Sequence, residues 1–339
     1  MIAGLPPRFA AFLKDEIGMA QLGQHGLRIF CVHAPLRAVR GPVRTAGCRK
    51  LSGEGEGLGM CRRDDNLDTQ HAGDRAVGAD DQMQAILEEK SLYVVYQPIV
   101  CHQTRRVFAC EALSRPHWRG ESVPPQVWFQ WAATSGHMVE ADLLAFGLAV
   151  QGVAGLPEAQ RRLPLFVNVL PSTLTQSAFF HHIERVLAEA ALSPQQVVIE
   201  IVEWLAYDPP VLRQVIRRLH EYGIRVALDD VGIGGAGLRA LVDLEPHFIK
   251  VDRSLIQGIA QSDARRKLLH LLVEYAGGGE AVVAEGVESW PDFEAVAEAG
   301  VKLSQGFLWS RPKPMKDILT FVERFESDSR NLIQNPADH

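Results

Sequence analysis

The chain alternates between short apolar runs and longer segments of helical length. Seven of the apolar runs end next to a polar side chain that could bind a metal ion or transfer a proton. These side chains are Glu111, Asn168, Glu200, the pair Asp229 and Asp230, Lys250, Glu285 and Gln305. A β/α barrel builds its active site in this way, with functional side chains at the carboxyl ends of its strands.

The predicted strands and helices fit a closed barrel. Residues 197–201, with the sequence VVIEI, are apolar at nearly every position, which suits a parallel strand covered on both faces. No GxGxxG motif follows the first strand, predicted at residues 93–100, and this argues against a dinucleotide-binding sheet. The pattern therefore predicts an α/β fold, a (β/α)8 TIM-like barrel. Its helices are predicted at residues 83–90, 125–150, 174–191, 210–222, 237–244, 264–275 and 291–299.

Residues 1–82 differ from the rest in composition. They are rich in Arg, Gly and Asp and show little apolar periodicity, which indicates a poorly ordered, low-complexity extension. A basic stretch at residues 37–50 could contact nucleic acid or a membrane, but a solvated tail is the preferred interpretation. Met60 or Met83 could also begin the folded part. The barrel is assigned to residues 83–325 and a C-terminal tail to residues 326–339, and the extension is expected to be dispensable for catalysis.

Composition and charge narrow the class of protein. The net charge of -6 gives no general reason to expect stable nucleic-acid binding. The five cysteines include no CxxC pair, so neither a disulfide framework nor a structural zinc site is indicated. The start of the chain is a poor signal peptide, and no apolar run approaches the roughly 20 residues of a membrane span. A soluble cytoplasmic protein is expected.

The strand-end acids and Asn168 offer hard oxygen ligands, which suit Mg²⁺ or Mn²⁺. Adjacent aspartates on a strand cannot point the same way, so one of Asp229 and Asp230 could bridge two metals while the other binds the second. Two metals about 3.5–4 Å apart form the usual clamp for phosphodiester displacement. For a single acid, a salt bridge or a helix N-cap would be the better interpretation. Five such groups at one barrel end favour the metal site.

Lys250 and Glu285 are the candidates for proton chemistry. An ammonium group at Lys250 could orient an attacking water and lower its pKa, or could neutralise the surplus of carboxylates. Glu285 is the remaining carboxylate and the candidate general base. Its structural alternative is a hydrogen bond to the loop at Gly286.

The motifs in which these residues stand resemble those of one family. The series is YQPIV, EALSRP, FVN, EIVE, LDDVGIG, FIKVDRSLI, VVAEGVES and QGF, in this order within residues 83–325. It is similar to the EAL domains, the cyclic di-GMP phosphodiesterases of bacteria, which take their name from the tripeptide seen here at residues 111–113. The resemblance implies an EAL-type barrel whose first strand is antiparallel, a cyclic di-GMP substrate and a homodimer.

The resemblance also implies roles for individual residues. Two Mg²⁺ or Mn²⁺ ions would be held by Glu111, Asn168, Glu200, Asp229 and Asp230. Lys250 and Glu285 would activate water, with Gln305 close to it. Substrate would be contacted by Gln97, Leu113, Arg115, Gln305 and Glu288. Glu203 resembles the acid that braces the loop after Asp230.

The chain departs from the family pattern in two places. Gly235-Ala236-Gly237 stands where the family usually has Tyr-Ser-Ser, so the loop loses an aromatic ring and hydroxyl donors. In the family this loop couples the second metal to dimer contacts, so slower hydrolysis and a higher metal requirement are expected. His247 stands where an Asp is usual.

Three functions remain open from the sequence. The leading hypothesis is hydrolysis of cyclic di-GMP to linear pGpG by in-line attack of an activated water, with the ribose 3′ oxygen leaving. The second is a non-catalytic cyclic di-GMP receptor or protein-interaction module. Such proteins usually lose a metal ligand or the base, and none is lost here. The third, another metal-dependent barrel enzyme, is disfavoured by the full motif series.

Overall fold

A computed structural model of the chain describes residues 79–158, 160–202, 208–232 and 237–334. The extension predicted at residues 1–82 therefore lies outside the described residues up to position 78. Glu203, predicted to brace the loop, and residues 235 and 236 of the altered loop also lie outside them.

Eight strands form a closed barrel. The strands are β1 Leu92–Cys101, β2 Arg106–Trp118, β4 Leu165–Asn168, β5 Val197–Val202, β6 Arg225–Val231, β7 Phe248–Val251, β8 Val282–Ala284 and β9 Leu303–Ser304. From β2 to β9 they pair in parallel in chain order, while β1 is antiparallel to both β2 and β9 and so closes the ring. The short strand β3, Glu121–Ser122, only extends β2. The predicted barrel and its antiparallel first strand are confirmed.

The barrel interior is filled by one layer to which each of the eight strands contributes a buried residue. These residues are Ile99, Ala109, Phe166, Val198, Ala227, Phe248, Val283 and Leu303. A larger cluster fills the space between the strands and the outer helices. Because strands covered on both faces lose water on both faces, the consecutive apolar positions seen in the sequence follow directly from this packing.

Helices cover the outside of the barrel. They are α1 Ala79–Glu89, α2 Pro125–Ser135, α3 Met138–Ala154, α4 Pro171–Leu174, α5 Ser177–Ala190, α6 Pro209–Tyr222, α7 Gly237–Leu244, α8 Arg253–Ile256, α9 Asp263–Tyr275, α10 Trp290–Glu298 and α11 Met315–Gln334. Among the helices of the described residues, none is long and apolar enough to cross a membrane.

Two predicted helices and two predicted divisions of the chain differ from the structure. The single helix predicted at residues 125–150 is two helices, because Gly136 adopts a left-handed conformation (φ 77°) that ends α2. The helix predicted at residues 174–191 is α5, which begins at Ser177, and Leu174 ends the separate short helix α4. The first helix begins at Ala79, with Asp80 and Asp81 favouring its amino end, so the division expected at residue 82 falls inside α1. Helix α11 likewise continues past the division expected at residue 325.

Candidate active site

A cavity of about 470 Å³ opens at the carboxyl ends of the strands. This volume lies in the usual range for small-molecule sites. Its lining includes most of the residues predicted to form the site: Gln97, Glu111, Leu113, Arg115, Asn168, Asp229, Asp230, Lys250, Glu285, Glu288 and Gln305. Glu200 is fully buried and lies behind this lining, in contact with Lys250 and Asn168.

The polar floor of the cavity consists of Glu111, Asn168, Glu200, Asp229, Asp230, Lys250 and Glu285. Its centre is Lys250, whose side chain is 1% exposed. The Nζ atom lies 2.6 Å from Glu200 Oε1, 2.7 Å from Glu285 Oε1, 3.1 Å from Asp229 Oδ1 and 3.5 Å from Glu111 Oε1. One ammonium group therefore faces four carboxylates that come from four different strands or strand ends.

Asn168 connects two of these carboxylates. Its Nδ2 group donates to Glu200 Oε2 at 2.8 Å and to Glu111 Oε1 at 3.2 Å. Turning the amide by 180° would exchange its nitrogen and oxygen without moving the rest of the side chain. In that orientation the oxygen would join the carboxylates as a third ligand for a cation between Glu111 and Glu200.

A bulge in β6 brings both adjacent aspartates to the floor. Leu228 pairs with Ile249 and Val231 pairs with Val251, so Asp229 and Asp230 together lie opposite Lys250. Asp230 takes a left-handed backbone conformation (φ 60°), which Asp tolerates better than most residues. The expectation that neighbouring aspartates point apart holds for a regular strand, and the extra residue of a bulge removes that alternation.

Gln305 and Gln97 bound the floor on the side of β9 and β1. Gln305 Nε2 donates to Glu111 Oε2 at 2.6 Å and to Gln97 Oε1 at 2.9 Å. Gln97 Nε2 in turn donates to the Ser310 carbonyl at 3.0 Å. The Oε1 atom of Gln305 is buried and accepts no hydrogen bond from the part of the chain that the structure describes. This oxygen is therefore available to accept from a water or a ligand.

The electrostatics of the floor show a surplus of negative charge. Burial, together with neighbouring Glu111, raises the pKa of Glu200 well above its ordinary value, against the opposing effect of Lys250. Burial likewise raises the pKa of Asp229, and it raises that of Glu285 well above its ordinary range. Burial would lower the pKa of Lys250, but the surrounding carboxylates outweigh it and raise that pKa well above its usual value. The lysine stays charged, and the carboxylates need further positive charge or protons.

The ligand chemistry of the floor fits divalent cations. Glu111, Glu200 and Asp229 offer oxygens that all lie within 4.8 Å of one another, and so do Asp229, Asp230 and Glu285. Asp229 belongs to both groups, which is the arrangement of a bridging ligand. Carboxylate and amide oxygens are the ligands that Mg²⁺ and Mn²⁺ prefer. The acidic cluster can therefore hold metal ions, and these would supply the charge that the floor lacks.

The sequence patterns did not reveal one side of the cavity, here called the apolar wall. It consists of Trp128, Phe129, Ala132, Met138, Ala141 and Ala145 from α2 and α3. An apolar stripe at helical spacing is typical of a helix packed on a core, so these positions carried no separate signal.

Asp142 is the one ionisable residue among the described α2 and α3 residues that line the cavity. It is 8% exposed, and its Oδ2 accepts a hydrogen bond of 2.8 Å from the Leu170 amide. Burial raises the pKa of the Asp142 carboxyl to about 7. A buried acid in an apolar helix is a signal that the sequence did offer, because Asp is seldom buried without a partner.

The departure at His247 lies at the opposite end of the barrel. His247 Nδ1 accepts from the Val226 amide at 3.2 Å, and its ring packs edge-on against His220 with centroids 4.3 Å apart. His247 therefore supports the start of β6 and does not contact the floor.

The chain matches a family over most of its described length. The EAL domain family matches residues 79–312. PdeN of Escherichia coli K12, named a probable cyclic di-GMP phosphodiesterase, is 29% identical over 252 residues, which is 72% of this chain and 48% of that protein. NbdA of Pseudomonas aeruginosa, named a cyclic di-GMP phosphodiesterase, is 28% identical over 256 residues, which is 74% of this chain and 32% of that protein. The chain thus spans half or less of the length of these relatives.

Solved structures agree in fold. BlrP1 of Klebsiella pneumoniae, in a manganese and cyclic di-GMP complex, is 31% identical with a TM-score of 0.59, over 66% of this chain and 56% of that one. The EAL enzyme Bd1971, bound to cAMP and cyclic di-GMP, superimposes with a TM-score of 0.65 over 72% of this chain and 68% of that one. At 22% identity, Bd1971 supports the fold alone.

Proposed function

The chain belongs to the EAL domain family, and from this membership and the geometry of the cavity we propose that it is a phosphodiesterase that opens cyclic di-GMP to linear pGpG. The observation that carries the proposal is the polar floor. Every described residue that the resemblance assigned to metal ligation or water activation lies there around Lys250. A receptor that had lost catalysis would be expected to lack a ligand or the base.

Two Mg²⁺ or Mn²⁺ ions are proposed as cofactors. Glu111, Asn168, Glu200 and Asp229 would hold one, and Asp229 and Asp230 would hold the other, with Asp229 shared. Bound there, the ions would polarise the phosphoryl oxygens and lower the pKa of the attacking water. This assignment is supported by the two oxygen clusters that share Asp229.

Glu285 is proposed as the general base. Its carboxylate faces the cavity, and burial raises its pKa well above the ordinary value, which makes it a stronger base than a solvated glutamate. Lys250, 2.7 Å away, opposes this rise, and the proposed cations would oppose it further, which would favour the deprotonated form that accepts a proton. As the proton passes from water to Glu285, the water oxygen bonds to phosphorus and the bond from phosphorus to the ribose 3′ oxygen breaks. The leaving oxygen then takes up a proton.

The remaining polar groups are proposed to hold the substrate. Arg115 lines the cavity and offers a guanidinium group suited to a phosphate. The buried Oε1 atom of Gln305 can accept a hydrogen bond from the attacking water, which would direct a water lone pair towards phosphorus. Gln97, Leu113 and Glu288 also line the cavity and complete the proposed set of substrate contacts.

The test is product formation by the purified full chain. Cyclic di-GMP is incubated with Mn²⁺ or Mg²⁺, and the products are separated by chromatography and identified by mass. We expect the wild type to form linear pGpG, and we expect the Glu285→Gln variant to bind cyclic di-GMP without hydrolysing it to pGpG. Tight binding by the wild type without any product would favour the receptor function, for which the altered loop at residues 235–237 is the motivating observation. If the wild type shows neither binding nor product, both the phosphodiesterase and the receptor function are refuted.

A further inference from the structure

Helix α2 separates the cavity from α1. Trp128 and Ala132 lie one helical turn apart on α2, are 3% and 0% exposed, and line the cavity. The same two side chains pack in a hydrophobic cluster with Met83 and Ile86 of α1, which are both 0% exposed. The apolar wall is therefore one side chain thick, with α1 directly behind it.

This cluster is separate from the two that fill and surround the barrel. Its six buried residues are Met83, Ile86, Val123, Trp128, Ala132 and Ala141. Helix α1 supplies two of these six. The buried side chains of α2 join this cluster and not the main core, so α1 holds α2 in place together with α3 and β2.

The ends of α1 are tied to the same part of the molecule. At its amino end, Asp80 Oδ1 lies 3.6 Å from His137 Nε2 in the turn between α2 and α3. At its carboxyl end, the Ser91 amide donates to the Ile86 carbonyl at 3.0 Å, and the Ser91 carbonyl accepts from His117 of β2 at 2.7 Å. The ion pair is exposed and contributes little by itself, so the apolar packing dominates.

We infer that Met83 and Ile86 are positioning residues, which act through Trp128 to hold the apolar wall at the distance from the polar floor that the ligand requires. Because Met83 and Ile86 pack with Trp128 and Ala132 of the wall, changes at these two positions should alter ligand affinity more than the chemical step.

The kinetic test rests on the proposed function and uses the full chain with Ile86→Ala, Met83→Ala and the milder Ile86→Val. We expect KM for cyclic di-GMP to rise about tenfold in the alanine variants, with kcat changed less than about twofold. The matched control is Leu269→Ala on α9, a 2% exposed residue of the main core. The Leu269→Ala variant should have a lower free energy of unfolding and an unchanged KM. A parallel fall of kcat and no change in KM for the α1 variants would overturn the inference while leaving the phosphodiesterase function in place.

A second readout needs no substrate. Hydrogen–deuterium exchange of peptides covering α2 should become about tenfold faster in Ile86→Ala, and exchange in α9 should not change. Leu269→Ala should give the opposite pattern. Unchanged exchange in α2 would refute the inference even if the wild type proves unable to bind or hydrolyse cyclic di-GMP.

Discussion

The cavity has two sides that are built on different principles. The polar floor lies on the ends of barrel strands, and each of its members is fixed by strand pairing and by charge contacts around Lys250. The apolar wall lies on two helices outside the barrel: α2 packs in a small hydrophobic cluster, and α3 packs mainly on the main core. Rigid strand ends suit chemistry, which needs fixed geometry. The part of the wall on α2, which packs on α1 and not on the main core, suits adjustable affinity.

The largest effect is expected from a substitution at Glu285, which belongs to the polar floor and not to the apolar wall. Replacing it by Gln keeps the size of the side chain and removes the base. We expect kcat to fall by about 10²–10⁴-fold while the Kd for cyclic di-GMP stays within a few fold. Stopped assays give kcat, and calorimetry gives Kd. Equal losses in kcat and affinity would assign Glu285 a structural role.

The second effect concerns Asp142, the buried acid beside the wall. Its folded pKa of about 7 lies above the unfolded value of about 4, so the folded state binds more protons between these values. Wild-type stability attributable to this group is therefore present below pH 4 and is lost as the pH rises towards 7. Asn carries no titrating proton, so Asp142→Asn should gain up to about 4 kcal/mol relative to wild type between pH 4 and pH 8.

Denaturant unfolding at several pH values measures this gain. The exposed Glu140→Gln on the same helix is the control and should show no such trend. A stability difference for Asp142→Asn that does not vary with pH would mean that the carboxyl is ionised in the folded protein across this range.

The third effect concerns a residue of the apolar wall alone. Phe129 lines the cavity and is 41% exposed, so Phe129→Ala should leave the fold intact. We expect KM to rise about three- to tenfold with little change in kcat, because an aromatic contact to the ligand is lost. Val242→Ala on α7, which is equally exposed at 41%, is the control. A fall in kcat with KM unchanged would place Phe129 with the floor.

The smallest effect lies at the amino ends of the strands, away from both sides of the cavity. Burial lowers the pKa of His220, and burial, His220 and Arg225 lower that of His247. The unfolded chain therefore binds more protons below about pH 6.5, and the stability of the folded state falls as the pH drops through this value.

His247→Asn should reduce this loss and leave kcat and KM unchanged. Thermal unfolding at pH 7.5 and pH 5.5 measures it, with the exposed His270→Asn as control. An identical acid dependence in wild type and His247→Asn would exclude His247 from the acid response.

The sequence predicted the floor well because strand ends carry two signals together. An apolar run fixes where the strand is, and the polar residue that follows it must lie at the barrel mouth. Glu111, Asn168, Glu200, Lys250 and Glu285 meet there for this reason. The resemblance added the order of the motifs, which a single acid could not supply.

The apolar wall and the bulge in β6 could not be predicted from the sequence, for physical reasons. Trp128 and Ala132 have the spacing of any core-facing helix, so nothing in the pattern says that the side they face is a cavity. Gly136 marks the break between α2 and α3. The sequence pattern did not predict this break, because a single glycine is often tolerated inside a helix. The bulge at Asp229 and Asp230 depends on the register of β6 against β7, which is a tertiary property.

Titration of Mn²⁺ into the full chain shows whether divalent cations complete the polar floor. We expect two Mn²⁺ per chain by calorimetry, weaker binding at both sites in Asp229→Asn because that carboxylate is shared, and cyclic di-GMP hydrolysis that stops in excess chelator. Ca²⁺, with its longer and looser bonds, should bind without supporting hydrolysis. Hydrolysis that continues undiminished in excess chelator, with no Mn²⁺ bound, would contradict the account.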